Sequence, residues 1–194
     1  MQFKKAVDFI LNKLSAELSQ TNLPYHNINH IRDVYHAAER IGKQEGIALN
    51  EMYLLLTAAS FHDAGFINGA KGHEEESCRM AGDILPGYDY SSADIEKVCG
   101  MIMATKIPQS PKNHLEEILA DADLDYLGRD DFFTIGETLR QEFLTAGVIK
   151  TEDDWNRMQV RFMESHHYFT KTSVNLRQAK KEQNLKAVKA KLNH

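Results

Sequence analysis

The stretch Asn50-Glu51-Met52-Tyr53-Leu54-Leu55-Leu56-Thr57-Ala58-Ala59-Ser60-Phe61-His62-Asp63 decides the fold. It predicts a helix capped by Asn50 with apolar side chains nearly all round, and such a helix must be surrounded by other elements. Its longest apolar run, Tyr53 to Phe61, is about half the roughly 20 residues that a membrane span needs. Thr57 and Ser60 interrupt that run. The segment therefore reads as the central helix of a water-soluble domain. It ends on an imidazole and a carboxylate side by side, His62-Asp63, just before the Gly65 turn.

Outward from this helix almost every periodic segment has the helical spacing. Phe3, Val7, Ile10, Leu11, Leu14 and Leu18 predict a helix near 2–19. After the break at Asn22-Leu23-Pro24, a stripe through Ile31, Val34, Tyr35, Ala38 and Ile41 predicts a second, with Gly46 as its stop. Residues 64–72 read as a glycine-containing loop. Further helices are expected near 73–85, from Ser91 or Ser92 to before Pro108, near 114–128 and near 131–146. Thr151 with Asp154 three residues on has the pattern of a capping box. A last helix over about 170–192 sets Val174, Leu185, Val188 and Leu192 against a lysine-rich face. No strand pattern exceeds a few residues. The expected class is all-α, a helical bundle forming one domain over 1–194.

The 194 residues (22.1 kDa) can bury a sizeable core, since a chain of this length hides roughly 70% of its unfolded surface. With 28 acidic against 23 basic residues the formal charge is −5, which argues against coating nucleic acid or an anionic membrane. Two cysteines, Cys78 and Cys99, are too few for a disulfide framework and fit a reducing compartment. Asp8, Asn12 and Lys13 break the apolar stretch after Lys4 and Lys5, so the N-terminus lacks the core of a secretory leader. The expected location is the cytoplasm.

Nine histidines fall into groupings with chemical content. Tyr25-His26-Asn27-Ile28-Asn29-His30 carries two of them four apart. His62-Asp63 lies at the end of the buried helix, where an unpaired carboxylate costs several kcal/mol and needs compensation. Asp121, Asp123 and Asp125 alternate through an otherwise apolar segment. Two imidazoles and two carboxylates from three helices suit a divalent metal with open coordination positions. The plainer alternatives are a buried His–Asp pair at His62-Asp63 and a solvated acidic turn at 121–125, the latter best suited to Asp121. His166-His167-Tyr168 reads as packing before the last helix, with Tyr168 stacking on a base as the alternative, and His194 as a frayed terminus.

The order His30, then His62-Asp63, then Asp123 resembles the HD-domain superfamily of metal-dependent phosphohydrolases, closest to small stand-alone bacterial members. Tyr25-His26-Asn27 through His30 is similar to the first motif of the cyclic-nucleotide phosphodiesterases, and Ala122-Asp123-Leu124 to their Ala-Asp-Leu. The resemblance covers about 20–130, leaving the C-terminal helices at about 131–192 outside it. It implies that His30, His62, Asp63 and Asp123 hold one divalent ion (Mn, Fe, Co, Ni, Zn or Mg). It implies that Asp63 steers the attacking water and that His26 protonates the leaving oxygen. An acid at His26 requires a carboxylate partner that no motif supplies. His73 falls where members carry a histidine that binds a second metal or the phosphate, and Lys106, at a departure from the family pattern, is a candidate phosphate contact with a plain solvated helix end as the alternative. Diiron members need another histidine where this chain has Thr105 and Lys106, which counts against a second metal.

The expected activity is hydrolysis of a phosphate ester, with a nucleotide or similar small molecule as substrate. A homodimer stays compatible with the sequence. An HD-type iron-dependent oxygenase and a non-catalytic nucleotide sensor are the alternative functions.

Overall fold

In the computed structural model, which describes residues 1–192, helix α3 (Leu49–Phe61) is the axis of the bundle. Every residue from Leu54 to Phe61 is buried. The cap differs from expectation. The helix begins at Leu49 rather than after Asn50, because the Glu51 carboxylate reaches back to accept the Ala48 N–H at 3.0 Å. Helix α1 (Phe3–Leu18) lays Ala6, Ile10, Leu14 and Leu18 on this core. Helix α2 (Ile28–Glu45) adds Ile31, Val34, Ala38 and Ile41. Asn27 caps α2 by accepting the Asn29 N–H at 2.8 Å, and Gly46 ends it at φ +70°.

The expected loop at 64–72 contains a 3₁₀ turn, Ala64–Asn68, before α4 (His73–Ile84). Gly65 must be glycine here: a Cβ would lie 2.1 Å from the His73 carbonyl oxygen, so the turn presses directly on the start of α4. Helix α5 (Ser92–Ala104) opens on a capping box between Ser91 and Asp94. Helix α6 (His114–Asp123) is shorter than the 114–128 expected, and a separate 3₁₀ turn, Asp125–Gly128, follows it. Helices α7 (Phe132–Thr145), α8 (Glu152–Ser165) and α9 (Lys171–Lys191) complete the chain, α8 starting on the Thr151–Asp154 box. They enclose a second cluster around Leu127, Phe132, Met163 and Val188. No strand occurs among the described residues, and no described helix is long and apolar enough to cross a membrane. His194 lies outside the described residues.

The aspartates at 121 and 125 join the two clusters. Asp121 is fully buried, not part of a solvated turn. Its Oδ2 accepts the Thr170 N–H and hydroxyl at 2.8 and 2.7 Å, and its Oδ1 the Phe169 N–H at 2.9 Å. A helix start carries unpaired N–H groups and partial positive charge, so the carboxylate anchors the entrance to α9. Asp125, also buried, accepts Arg177 Nε and Nη2 at 2.7 and 3.0 Å and pairs with Arg40 at 2.9 Å. Tyr168 is buried with its hydroxyl on the Leu124 carbonyl, 3.4 Å away, which makes it a packing residue.

Replacing Asp121 with alanine strands three buried donors and should cost about 2–4 kcal/mol, with Asp121→Asn costing less because it keeps an acceptor. Urea unfolding followed by circular dichroism reads the difference. Equal losses for the two variants would show that the anchor is not the hydrogen-bonded carboxylate.

Candidate metal centre

Four side chains from three places in the chain converge at one end of α3. Its apolar sides hold the helix in the core, so the residues that follow it, His62 and Asp63, are delivered at 0% and 4% exposure. Ser77 on α4 fixes that end, donating to the His62 carbonyl and accepting the Gly65 N–H, both at 2.8 Å. His30 comes from the first turn and a half of α2, which the Asn27 cap sets in register, and Asp123 from the last residue of α6.

His30 Nε2 lies 3.2 Å from Asp123 Oδ1 and 3.3 Å from both Asp63 Oδ2 and His62 Nε2. His62 Nε2 lies 3.3 Å from Asp63 Oδ2 and 3.4 Å from Asp123 Oδ1. Separations of this size suit ligand atoms sharing an ion bonded at about 2.0–2.2 Å. The ligand atoms of His30, His62 and Asp123 all lie within 4.8 Å of one another, close enough to share one ion. The hydrogen bonding agrees. His62 spends Nδ1 on the Ala59 carbonyl at 2.9 Å, so in the neutral ring Nε2 presents a lone pair to the cluster. Asp63 Oδ2 is buried there with no hydrogen-bond partner. Lone pairs facing one another in a dry site need a cation between them, so the donor set fits a divalent metal.

Without a metal, protons perform that neutralisation. Burial disfavours the His30 imidazolium, but Asp123 and Asp63 more than offset it and push its pKa up to about 9. His62 is likewise buried yet raised by Asp63 and Asp123. Burial alone would raise Asp123; the two imidazoles bring it down to about 2.

The remaining predicted residues separate into two groups. His73, held by its Nδ1 on the Ala70 carbonyl at 3.0 Å, turns Nε2 toward Asp63 Oδ1 at 3.4 Å and lines the same cavity. His26 also lines it, its ring stacked on Phe66 at a centroid distance of 4.0 Å. Lys106 does not. Its amine is ion-paired with Glu75 on the surface, and its neighbour Thr105 lines the cavity instead. A salt bridge in water is easily made by a long, flexible side chain at a helix end, and nothing buried draws this one inward.

The carboxylate partner that His26 requires is Glu142 on α7, which hydrogen-bonds His26 Nδ1. Its other oxygen accepts the backbone N–H groups of Tyr25 and His26 at 3.1 and 3.2 Å. Burial would raise Glu142, but these three contacts outweigh it and hold the carboxyl below its usual range. A signal for Glu142 was present: it falls on the apolar stripe of its helix, three residues after Leu139, where a lone acid needs a partner.

No family model and no curated protein matches the chain. Solved structures do. A predicted HD superfamily hydrolase from an uncultured Thermotogales bacterium is 19% identical, with a TM-score of 0.66 over 96% of this chain and 91% of that one. Bacillus subtilis YpgQ in complex with ADP is 18% identical, with a TM-score of 0.66 over 98% and 95%. The Lin1889 protein of Listeria innocua is 16% identical, also at 0.66, over 100% and 98%. The chain has the HD-type fold. Within that HD-type bundle, the chain's own geometry supplies the case for a metal at His30, His62, Asp63 and Asp123.

Two outcomes are expected. His62→Ala and Asp63→Ala should each emerge without bound metal by elemental analysis, and be less stable by a few kcal/mol, since each strands buried partners. Metal must displace protons from His30, so affinity should strengthen as pH rises toward 9, with proton release visible by calorimetry in buffers of different ionisation enthalpy. In the metal-free protein the sign is reversed. The protonated His30 contributes stability that is fully present below about pH 6.5. That contribution disappears as pH rises through about 9.

Proposed function

We propose that this chain is a metal-dependent phosphohydrolase acting on a phosphate ester. The observation that carries the reading is the juxtaposition, in one cavity, of His30, Asp63 and Asp123 from the cluster and an imidazole held by a buried carboxylate. A bound divalent ion would supply Lewis acidity toward a phosphoryl oxygen and a lowered pKa for water. His30, His62, Asp63 and Asp123 would hold it. Asp63 is placed to accept a hydrogen bond from the attacking water. His73 faces the same space and serves a non-reacting phosphoryl oxygen.

His26 is the acid. Glu142 occupies its Nδ1, which leaves Nε2 as the ring nitrogen free to give a proton to the departing oxygen. Glu142 on the ring edge at Nδ1 and Phe66 stacked on the ring face together fix its direction. The iron-oxygenase alternative draws no added support, because Thr105 stands in the cavity wall where a further histidine is wanted. A sensor would need neither the open ligand set nor the His26–Glu142 pair.

The ADP held by the B. subtilis neighbour supports a nucleotide as the ester. The lining of this chain's own cavity supports a smaller anion, because it offers no lysine or arginine to a polyphosphate.

The division of labour between the two histidines of the first motif is testable. His26→Ala should retain metal and lose about 10²–10⁴ in kcat on an alkyl ester, the usual worth of a positioned acid. A nitrophenyl ester, whose leaving group needs no proton, should recover much of that loss. Glu142→Gln should fall in the same direction by about 10–10²-fold, the worth of one charge-assisted hydrogen bond. His30→Ala should lose metal and activity together, without rescue. A metal-free His26→Ala protein would overturn the assignment of roles.

A further inference from the structure

The cavity that holds the metal cluster extends well beyond it. It encloses about 320 Å³ and runs from His30, Asp63 and Asp123 to a far wall built by α7, α8 and the turn before them. That wall is Leu127, Phe132, Phe143, Trp155, Phe162 and Met163. The aromatic rings are fixed against one another: Phe143 meets Trp155 edge-on at a centroid distance of 6.0 Å. Gln159 is the one amide side chain in the lining. Among the described residues no lysine or arginine lines the cavity, while Asp63, Glu74 and Asp123 put three carboxylates at its polar end.

This division has a chemical meaning. One phosphoryl group can be neutralised by the metal and by His73 and His26. A second or third phosphate would add negative charge with no cation of the chain to meet it, next to carboxylates in a poorly hydrated site. Ribose hydroxyls and base edges would lose water along a wall with almost nothing to replace it. An apolar group gains about 25 cal/mol for each Å² it buries there.

We propose that the ligand is a phosphate monoester of an uncharged, apolar alcohol, with the organic part lodged against the α7–α8 wall. The assignment rests on the phosphohydrolase reading. In the reaction, the oxygen of water joins phosphorus and keeps one proton, the bond from phosphorus to the alcohol oxygen breaks, the alcohol leaves with a proton from His26, and the water's second proton passes to solvent and restores His26. The products are inorganic phosphate and a hydrophobic alcohol, so a phosphoryl-transfer reaction onto that alcohol must supply the substrate.

The chain's single tryptophan, Trp155, stands in this wall and reports its occupancy without any turnover. Methyl-, butyl- and hexylphosphonate, which cannot be hydrolysed, are titrated into the metal-loaded protein and followed by tryptophan emission. Affinity should strengthen about fourfold per methylene, so that hexylphosphonate binds at least about a hundredfold more tightly than methylphosphonate and shifts the emission. AMP and ADP, followed by calorimetry, should bind at least tenfold more weakly than hexylphosphonate. The half-buried Phe143, replaced by alanine, should shrink the hexyl-to-methyl ratio about tenfold; a ratio within one protein is insensitive to its folded fraction. A flat phosphonate series, an unchanged ratio in Phe143→Ala, or AMP or ADP matching hexylphosphonate would overturn the proposal. Phosphate release from hexyl phosphate separates the two claims. If the phosphonates bind in the expected order but no ester is hydrolysed, the phosphohydrolase reading falls and the apolar ligand stands. If esters are hydrolysed and the series is flat, the reverse holds.

Discussion

Charge neutrality in a dry place governs this molecule. The apolar sides of α3 carry His62 and Asp63 into the interior, where an uncompensated carboxylate would cost more than most single contacts return. Neighbouring elements supply the compensation: His30 from α2 and His73 from the start of α4 face Asp63, and Asp123 from the end of α6 faces the His30 and His62 rings. Four donor atoms are brought together in a buried place, and a divalent cation is the simplest species that meets all of them at once. The helices are therefore arranged around a charge requirement as much as around a hydrophobic core.

The same requirement extends to the other half of the chain. Asp121 and Asp125 flank Asp123 only in sequence; in space they turn away from the cluster and hold α9. Glu142 reaches from α7 to His26. These three links are buried carboxylates on cationic groups or on backbone N–H groups, so polar contacts help to fasten the C-terminal helices to the site. A shift of α7 alone would disturb the His26–Glu142 contact and part of the cavity wall at the same time.

Much of this was legible in the sequence where periodicity or a local cap speaks. The helix order, the Asn27, Ser91 and Thr151 starts, and the Gly46 stop follow from side-chain spacing and backbone hydrogen bonding within a few residues. The joint occurrence of His30, His62, Asp63 and Asp123 was visible because motif order survives without knowledge of packing. Glu142, Asp121 and Lys106 were not read in their roles, since each depends on what lies opposite in space. Glu142 meets a histidine 116 residues away, Asp121 meets backbone 48 and 49 residues away, and Lys106 finds a surface glutamate 31 residues earlier. The apolar wall escaped for a related reason. Its residues look like ordinary core in sequence, and only the space between α7, α8 and the cluster shows that some of them face a void.

The alternation at 121, 123 and 125 carries a consequence for how this segment can change over time. Each residue of a helix turns the next by about 100°, so Asp121 meets the start of α9 while Asp123 meets the cluster only at one length. Deleting or inserting a single residue between Ile118 and Asp121 would turn both carboxylates by about 100° and take each from its partner. Substitutions can be absorbed there one at a time, whereas a change of length upsets both roles at once. The segment behaves as a fixed-length gauge, and among proteins that keep both the cluster and the α9 anchor its residue count should vary less than its residue identities.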